Sequence, residues 1–471
     1  MKIIDKIYIN GAFVTPEGTE TFDLISPVNQ EVLGKVALGN EADTLKAIAA
    51  AKAAFKTFSQ TTREERISYL EKMYAAIENR KDDMINAMVQ EYGGILQFAK
   101  ASFENSLSGI AANIAVLKDF AFEKQVGSAT VLLDPVGVVG IITPWNASNS
   151  FIANKLSTAI AAGCTAVIKP SEMSAIQTQV MMEALHAAGL PAGVFNIVNG
   201  LGPVVGATLT KSPDISKISF TGSTVVGKSI AKEGADTVKR VTLELGGKSP
   251  NILLEDANLE EAIPLSVAAA FMNNGQACIA ASRLLAPASR MEEVKALLRK
   301  TVANVKVGNP ADPDTQVGPM VSKKQFERVQ GYIRTGLAEG ATLLAGGLGQ
   351  PAGLEAGNFV QPTVFVDVNN NMRIAREEIF GPVLSVIPYH TIDEAIAIAN
   401  DTTYGLAAYV QGQDLAQAKK VAARLEAGRV AINGFKHDPM APFGGFKQSG
   451  VGREFGVYGL EEYLEPKTIL S

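Results

Sequence analysis

The sequence predicts an α/β protein organised around mostly parallel sheet, and three observations carry that prediction. From residue 136 onward, short apolar runs at 136–142, 165–169, 194–198, 217–220 and 240–244 alternate with helical patterns, which is how a parallel sheet covered on both faces reads. The loops that follow four of those runs hold unusual residues, in Thr143-Pro144-Trp145-Asn146, Lys169-Pro170-Ser171-Glu172, Asn199-Gly200-Leu201-Gly202 and Thr221-Gly222-Ser223-Thr224. Ligands of parallel sheets bind at such strand ends. A second alternating series runs from about residue 251 to 433, broken by a glycine-rich surface loop at 345–357, and 471 residues exceed one ordinary core, so at least two domains are expected.

In chain order, the first 60 residues mix turn signals with short strands, and then residues 43–58 give an alanine-rich helix with Leu45, Ile48 and Phe55 on one side. Thr62 and Glu65 form a capping box. Behind it Ile67, Leu70, Tyr74 and Ile77 recur at helical spacing and read as core packing. A formal charge of -5 without a lysine-arginine block argues against a nucleic-acid groove or an anionic membrane as partner, leaving small molecules. Charges break the apolar start of the N-terminus, and no apolar run approaches a membrane span of roughly 20 residues, so a cytoplasmic protein is expected.

There are two cysteines, Cys164 and Cys278, too few for a disulfide framework. Cys164 leads into an apolar strand and reads as a small buried hydrophobe. Cys278 stands differently, in Asn273-Asn274-Gly275-Gln276-Ala277-Cys278, where a glycine permits a tight turn and amides surround the thiol. It is the candidate nucleophile, and a thiol of ordinary pKa, about 8.5, needs local activation to act as one. The three histidines, His186, His390 and His437, are scattered. No metal-ligand spacing and no cysteine-histidine pair emerges, so no metal is expected.

Gly200 to Gly206 follows a strand and opens a helix, with one residue more than the usual dinucleotide fingerprint. Gly222-Ser223 likewise precedes a helix whose amides would suit a pyrophosphate. Gly247-Lys248-Ser249 imitates the end of a nucleoside-triphosphate loop, but that motif requires glycine where Thr242 stands. Glu244, flanked by Val241, Leu243 and Leu245, reads as a carboxylate in an apolar setting, where burial raises its pKa and suits a general base.

Taken together, Pro144-Trp145-Asn146, Lys169-Pro170-Ser171-Glu172, Phe220-Thr221-Gly222-Ser223, Glu244-Leu245-Gly246-Gly247-Lys248, Gln276-Ala277-Cys278, Glu377-Glu378-Ile379-Phe380-Gly381-Pro382 and Pro442-Phe443-Gly444-Gly445 resemble the aldehyde dehydrogenase superfamily of the hydrolytic NAD(P)-dependent kind. The resemblance covers nearly the whole chain in the family's order. It implies a Rossmann-type dinucleotide-binding domain in 1–112 and 136–246, an α/β catalytic domain in 247–446, and a small β oligomerisation arm with the C-terminal tail in 113–135 and 447–471. Leu132-Leu133 and Tyr463-Leu464 would pair across subunits of a homodimer or homotetramer.

Carried over residue by residue, the resemblance makes Cys278 the thiolate that attacks an aldehyde. Asn146 and the backbone N–H of Cys278 would hold the oxyanion, and Glu244 would activate the water that hydrolyses the thioester. Lys169 and Glu172 would meet the adenosine ribose, Ser223 the pyrophosphate, and Glu378 with Phe380 the nicotinamide ribose. Ile142, Thr143, Pro144, Trp145, Gly202, Gly206, Phe220, Gly222, Leu245 and Gln325 would complete the cofactor cleft. Because Glu172 can accept from ribose hydroxyls and would repel a 2'-phosphate, NAD+ is expected over NADP+.

One departure from the family's pattern is that Ala147-Ser148 stand where Phe-Pro is common, which implies a smaller, more polar wall near the substrate. Lys436 and His437 suggest an aldehyde bearing a carboxylate, against the simpler reading of two solvated loop residues. Two alternatives stay open, a CoA-acylating semialdehyde dehydrogenase and a non-enzymatic NAD-binding relative. Glu244 at the base position speaks against the first, and the presence of Cys278, Glu244 and Asn146 together against the second.

Overall fold

The computed structural model describes residues 2–470. Two large sheets dominate it. In the first, eight strands run in the order Gly450–Val451, Arg240–Glu244, Lys217–Thr221, Val138–Ile142, Thr165–Lys169, Phe195–Ile197, Ile7–Ile9 and Ala12–Val14. The middle five are parallel. Their chain order reverses between Val138–Ile142 and Lys217–Thr221, the switch point at which open α/β sheets form a ligand crevice. Each strand buries both faces: Val139 and Ile141 enter one apolar cluster, Val138 and Ile142 another.

The second sheet has seven strands in the order Thr342–Ala345, Thr363–Val366, Val383–Tyr389, Arg283–Pro287, Pro250–Leu253, Ala407–Gln411 and Arg429–Ile432. All its pairs but the first are parallel. Leu284 and Leu285 again point to opposite clusters, so the near-continuous apolar runs of the sequence are two-sided strands. A small antiparallel sheet, Leu464–Leu470, Ala129–Pro135 and Glu123–Val126, stands apart, and a small mixed sheet, from Lys2–Ile4, Val32–Ala37 and Thr21–Ile25, lies near the N-terminus.

The expected capping box is present, Thr62 accepting from the Glu65 amide at 3.2 Å and Glu65 accepting from Thr62 at 2.7 Å. The preceding helix spans Glu41–Phe58, capped by Asn40, and buries Thr44, Ala47, Ile48 and Ala51. Leu45 does not share that face; it is 49% exposed. The buried stripe is the alanine one, because small side chains let the helix lie close on the sheet.

The arm also differs from expectation. Leu132 and Leu133 pair in register with Lys467 and Pro466 of the same chain, and Tyr463 packs into the main core. The pairing assigned to a second subunit is thus satisfied internally. The helix Leu96–Asp119 runs through the boundary expected at 112/113, with Asn113, Val116 and Leu117 buried, because its apolar period continues unbroken. Gly450–Val451, beyond the boundary expected at 446, pairs with Leu243 and Glu244 as an edge strand of the eight-stranded sheet. No helix among the described residues is long and apolar enough to cross a membrane.

Candidate active site

Cys278 is carried by a turn of unusual backbone. Asn273, Asn274 and Gly275 are consecutive left-handed residues, with φ of 52°, 60° and 72°. Asparagine and glycine tolerate that region better than other residues, which explains the Asn-Asn-Gly run. The amides surround the thiol in sequence but are spent on holding the turn. Asn274 donates to the carbonyls of Gly93 (3.0 Å) and Pro319 (3.2 Å) and accepts from the Gly318 amide at 2.7 Å. Gln276 donates to the Tyr92 hydroxyl at 3.1 Å and accepts from the Val321 amide at 3.0 Å. A Cβ on Gly275 would overlap the Gly381 carbonyl.

Asn146 stands at the C-terminal end of the first parallel strand, just before the helix Ser148–Ala162. Its Nδ2 donates to the Gln276 carbonyl at 2.9 Å, and its own carbonyl accepts from Asn273 Nδ2 at 3.0 Å. The side chain is thus fixed against the nucleophile turn with one amide proton still free. Cys278 is half-buried. Burial, then the carboxylates of Glu378 and Glu244, push its thiol up to about 12, while the amides of Cys278 and Ile279 pull the other way. The thiol is protonated at rest. Cys164, as expected, is a core residue whose thiol burial pushes up to about 11.

Glu244 ends the strand Arg240–Glu244 and is 3% exposed. Neither carboxyl oxygen has a hydrogen-bond partner. Burial first, and then Glu454, hold its pKa well above the usual carboxylate range, partly offset by Lys155 and Arg453. The sequence had not singled out these neighbours. Lys155 is buried, hydrogen-bonds Ser219 at 3.1 Å and is ion-paired with Glu454, 299 positions away. A lysine amid the apolar positions of the helix Ser148–Ala162 was the only available signal. Tyr92 was missed as well: it is buried, donates to the Asn273 carbonyl at 3.2 Å, and tilts against Trp145 at 5.5 Å.

The glycines after Glu244 admit close neighbours. Gly247 packs against the Cys278 carbonyl, Gly246 against the Glu378 carboxyl, and the Gly247 amide donates to Glu378 Oε1 at 3.0 Å. Arg283, wholly buried, donates to the Lys248 carbonyl at 3.0 Å. Ser449 donates to the Gly246 carbonyl at 2.6 Å and accepts from the Gly405 amide at 2.9 Å.

The residues expected to hold a cofactor lie along the switch-point end of the eight-stranded sheet. Ile142 closes the first strand and approaches Gly206, which ends the turn Gly202–Gly206. The Thr143 amide donates to the Lys169 carbonyl at 3.1 Å, beside half-buried Pro144. Lys169 pairs with Glu172 at 3.2 Å, and burial lowers the lysine's pKa. The Phe220 ring lies under Gly222, whose amide donates to the Glu244 carbonyl at 3.0 Å. Ser223 caps the helix Thr224–Gly234, and Leu245 packs on Gly227 of that helix. Across the crevice, Gln325 donates to the Phe380 carbonyl at 2.7 Å, and Phe380 meets Trp145 edge-on at 5.6 Å. A capped helix N-terminus at a switch point, with the Glu172 carboxylate beyond the end of Thr165–Lys169 in the same sheet, fits a dinucleotide.

His186 is a surface residue, hydrogen-bonded to the Tyr8 hydroxyl at 3.1 Å. His437 packs edge-on to Phe455 at 5.0 Å. With Lys436 it lines a cavity beside Arg429.

The aldehyde dehydrogenase family model matches residues 13–469. A 3-succinoylsemialdehyde-pyridine dehydrogenase of a Pseudomonas species is 45% identical, covering 100% of this chain and 99% of that protein. Among solved structures, a mutant of aldehyde dehydrogenase C from Pseudomonas syringae, in complex with NAD+ and octanal, is 46% identical with a TM-score of 0.97 over 99% of this chain and 96% of that one. Betaine aldehyde dehydrogenase from Staphylococcus aureus in complex with NAD+ is 36% identical with a TM-score of 0.96, over 99% and 94% of the two chains. With the match extending from the first sheet to the C-terminal strand, the chain belongs to the aldehyde dehydrogenase family.

Proposed function

We propose that the chain oxidises an aldehyde to the carboxylic acid with NAD+, through a thiohemiacetal and then a thioester on Cys278. The observation that carries this reading is the junction of Asn146, Gln276 and Asn273, which fixes an amide donor to the turn bearing the thiol. Once the Cys278 proton has passed to solvent, sulfur adds to the carbonyl carbon, and Asn146 Nδ2 with the Cys278 amide takes the resulting oxyanion, a contact whose loss costs roughly 10² to 10³ in kcat. Bound NAD+ supplies the hydride acceptor. Glu244, poorly solvated and more basic than an ordinary carboxylate, takes a proton from the water that cleaves the thioester.

Glu378 and Phe380 would steady the nicotinamide ribose end, and Lys169 with Glu172 the adenosine end, favouring NAD+ over NADP+. In this reading the eight-stranded sheet is the cofactor unit and the seven-stranded sheet the catalytic one. The small arm has two open edges and exposed Val126, Ile469 and Leu470, which supports a homodimer or homotetramer assembled through it. A cytoplasmic location agrees with the sparse, unpaired cysteines.

The test is NADH absorbance with a panel of aldehydes, without CoA. Wild type is expected to yield NADH and free acid, and Cys278→Ala neither. A strict requirement for CoA, or turnover by Cys278→Ala, would overturn the reading.

A further inference from the structure

Tyr92 ends the helix Lys81–Tyr92, with its side chain wholly buried. Its hydroxyl spans the turn that presents Cys278, donating to the Asn273 carbonyl at 3.2 Å and accepting from Gln276 Nε2 at 3.1 Å. The same two residues close the turn, through a bond from the Gln276 amide to the Asn273 carbonyl at 2.8 Å. Both also hold Asn146, whose Nδ2 donates to the Gln276 carbonyl and whose own carbonyl accepts from Asn273 Nδ2. The ring of Tyr92 meets that of Trp145, the residue before Asn146, at 5.5 Å. A phenylalanine would fill the same space, so the hydroxyl is there for the turn.

The support of Tyr92 comes from elsewhere. Glu91, before it, accepts from the Ile176 and Gln177 amides at 2.7 and 3.0 Å, which ties this helix end to the start of the helix Ala175–Ala187. Met84, Ile85 and Met88 of the same helix are buried in the largest apolar cluster. Burial holds the Tyr92 hydroxyl well above the usual tyrosine range, so it keeps its proton and donates. The turn, by contrast, runs through Asn273 and Asn274 in left-handed backbone, which persists where its surroundings over-determine it.

We propose that Tyr92 is a positioning residue for the oxidation at Cys278, its hydroxyl fixing the turn against Asn146 by acting through Asn273 and Gln276. The inference rests on the proposed function. Without the hydroxyl, Gln276 Nε2 keeps only the Pro319 carbonyl, at 3.4 Å. A displacement of about 1 Å between reacting groups can cost about 10²-fold in rate.

Tyr92→Phe removes one oxygen and keeps the ring. With enzyme in excess over the best aldehyde of the panel and NAD+ saturating, the single-turnover rate constant of NADH formation should fall at least about tenfold. The Kd for NAD+, measured by calorimetry, should stay within about twofold of wild type. A role confined to packing would lower the melting temperature and leave that rate constant unchanged, because at saturating enzyme it does not depend on the fraction folded. Tyr92→Met, made in parallel in case the phenylalanine variant fails to fold, loses the hydroxyl too and should show the same loss. An unchanged rate constant in a folded variant, or a Kd for NAD+ that rises in step with the loss of rate, would overturn the proposal while leaving aldehyde oxidation standing. Absence of NADH from wild type with every aldehyde would overturn the oxidation itself.

Discussion

The carboxyl of Glu244 rests against the backbone of Gly444: a Cβ at position 444 would lie 2.7 Å from Glu244 Oε1. Gly444 also has a φ of 155°, which L side chains rarely adopt. Gly444→Ala should therefore displace the base while sparing the thiol. The expected outcome in stopped flow is a burst of NADH near one per active site, followed by a steady state slowed about 10- to 10²-fold. Glu244→Gln should show the same burst with a larger loss, about 10² to 10⁴. A slow first turnover in either variant would place Glu244 before hydride transfer instead.

The Cys278 thiol, pushed up to about 12, gains its thiolate form only as pH rises towards that value. At pH 7.5 its thiolate fraction is then on the order of 10³-fold below that of a free cysteine of pKa about 8.5. Iodoacetamide should alkylate the cofactor-free protein slowly, at a rate that climbs without a plateau up to pH 10. A plateau near pH 8 would show that the resting thiol is already activated.

Gly275→Ala should be among the most damaging single changes in the chain. It puts a methyl into the Gly381 carbonyl and strains a backbone held at a φ of 72°. Strain of this kind costs of order 1–3 kcal/mol before the overlap is counted. A melting temperature lower by several degrees, with loss of activity, is the expected result of a thermal scan. An unaltered melt would mean that the turn relaxes freely.

Glu172, paired with Lys169 at 3.2 Å, should set the choice between cofactors. In steady-state kinetics NAD+ should exceed NADP+ in kcat/KM by at least about tenfold, and Glu172→Gln should narrow that gap by removing like-charge repulsion. Comparable kcat/KM for the two cofactors in wild type would sink the assignment.

Much of this was legible in the sequence because its signals are local. The strands Thr165–Lys169 and Arg240–Glu244 fall where the apolar runs place them, and the run at 136–142 starts two residues later, at Val138. Asn273-Asn274-Gly275 announced a turn, but only the structure shows the Asn274 side chain spent on Gly93, Pro319 and Gly318, and that of Asn273 on the Asn146 carbonyl, rather than on the thiol. The surroundings of Glu244 were hidden for a different reason. Lys155 and Glu454 meet across 299 positions, and a lysine in an apolar helix does not by itself name its partner. Leu45 misled because helical spacing alone does not distinguish a leucine stripe from the alanine stripe that lies flush on the sheet.

Ser449 grips the Gly246 carbonyl across 203 positions of chain, and Gly450 pairs with Glu244 as the last strand of the same sheet. A growing polypeptide on the ribosome therefore completes the turn bearing Cys278 long before it can brace the strand end that carries Glu244, the proposed activator of water. Prematurely terminated chains, or ones clipped ahead of residue 449, would carry the reactive sulfur without the means to discharge an acyl group from it.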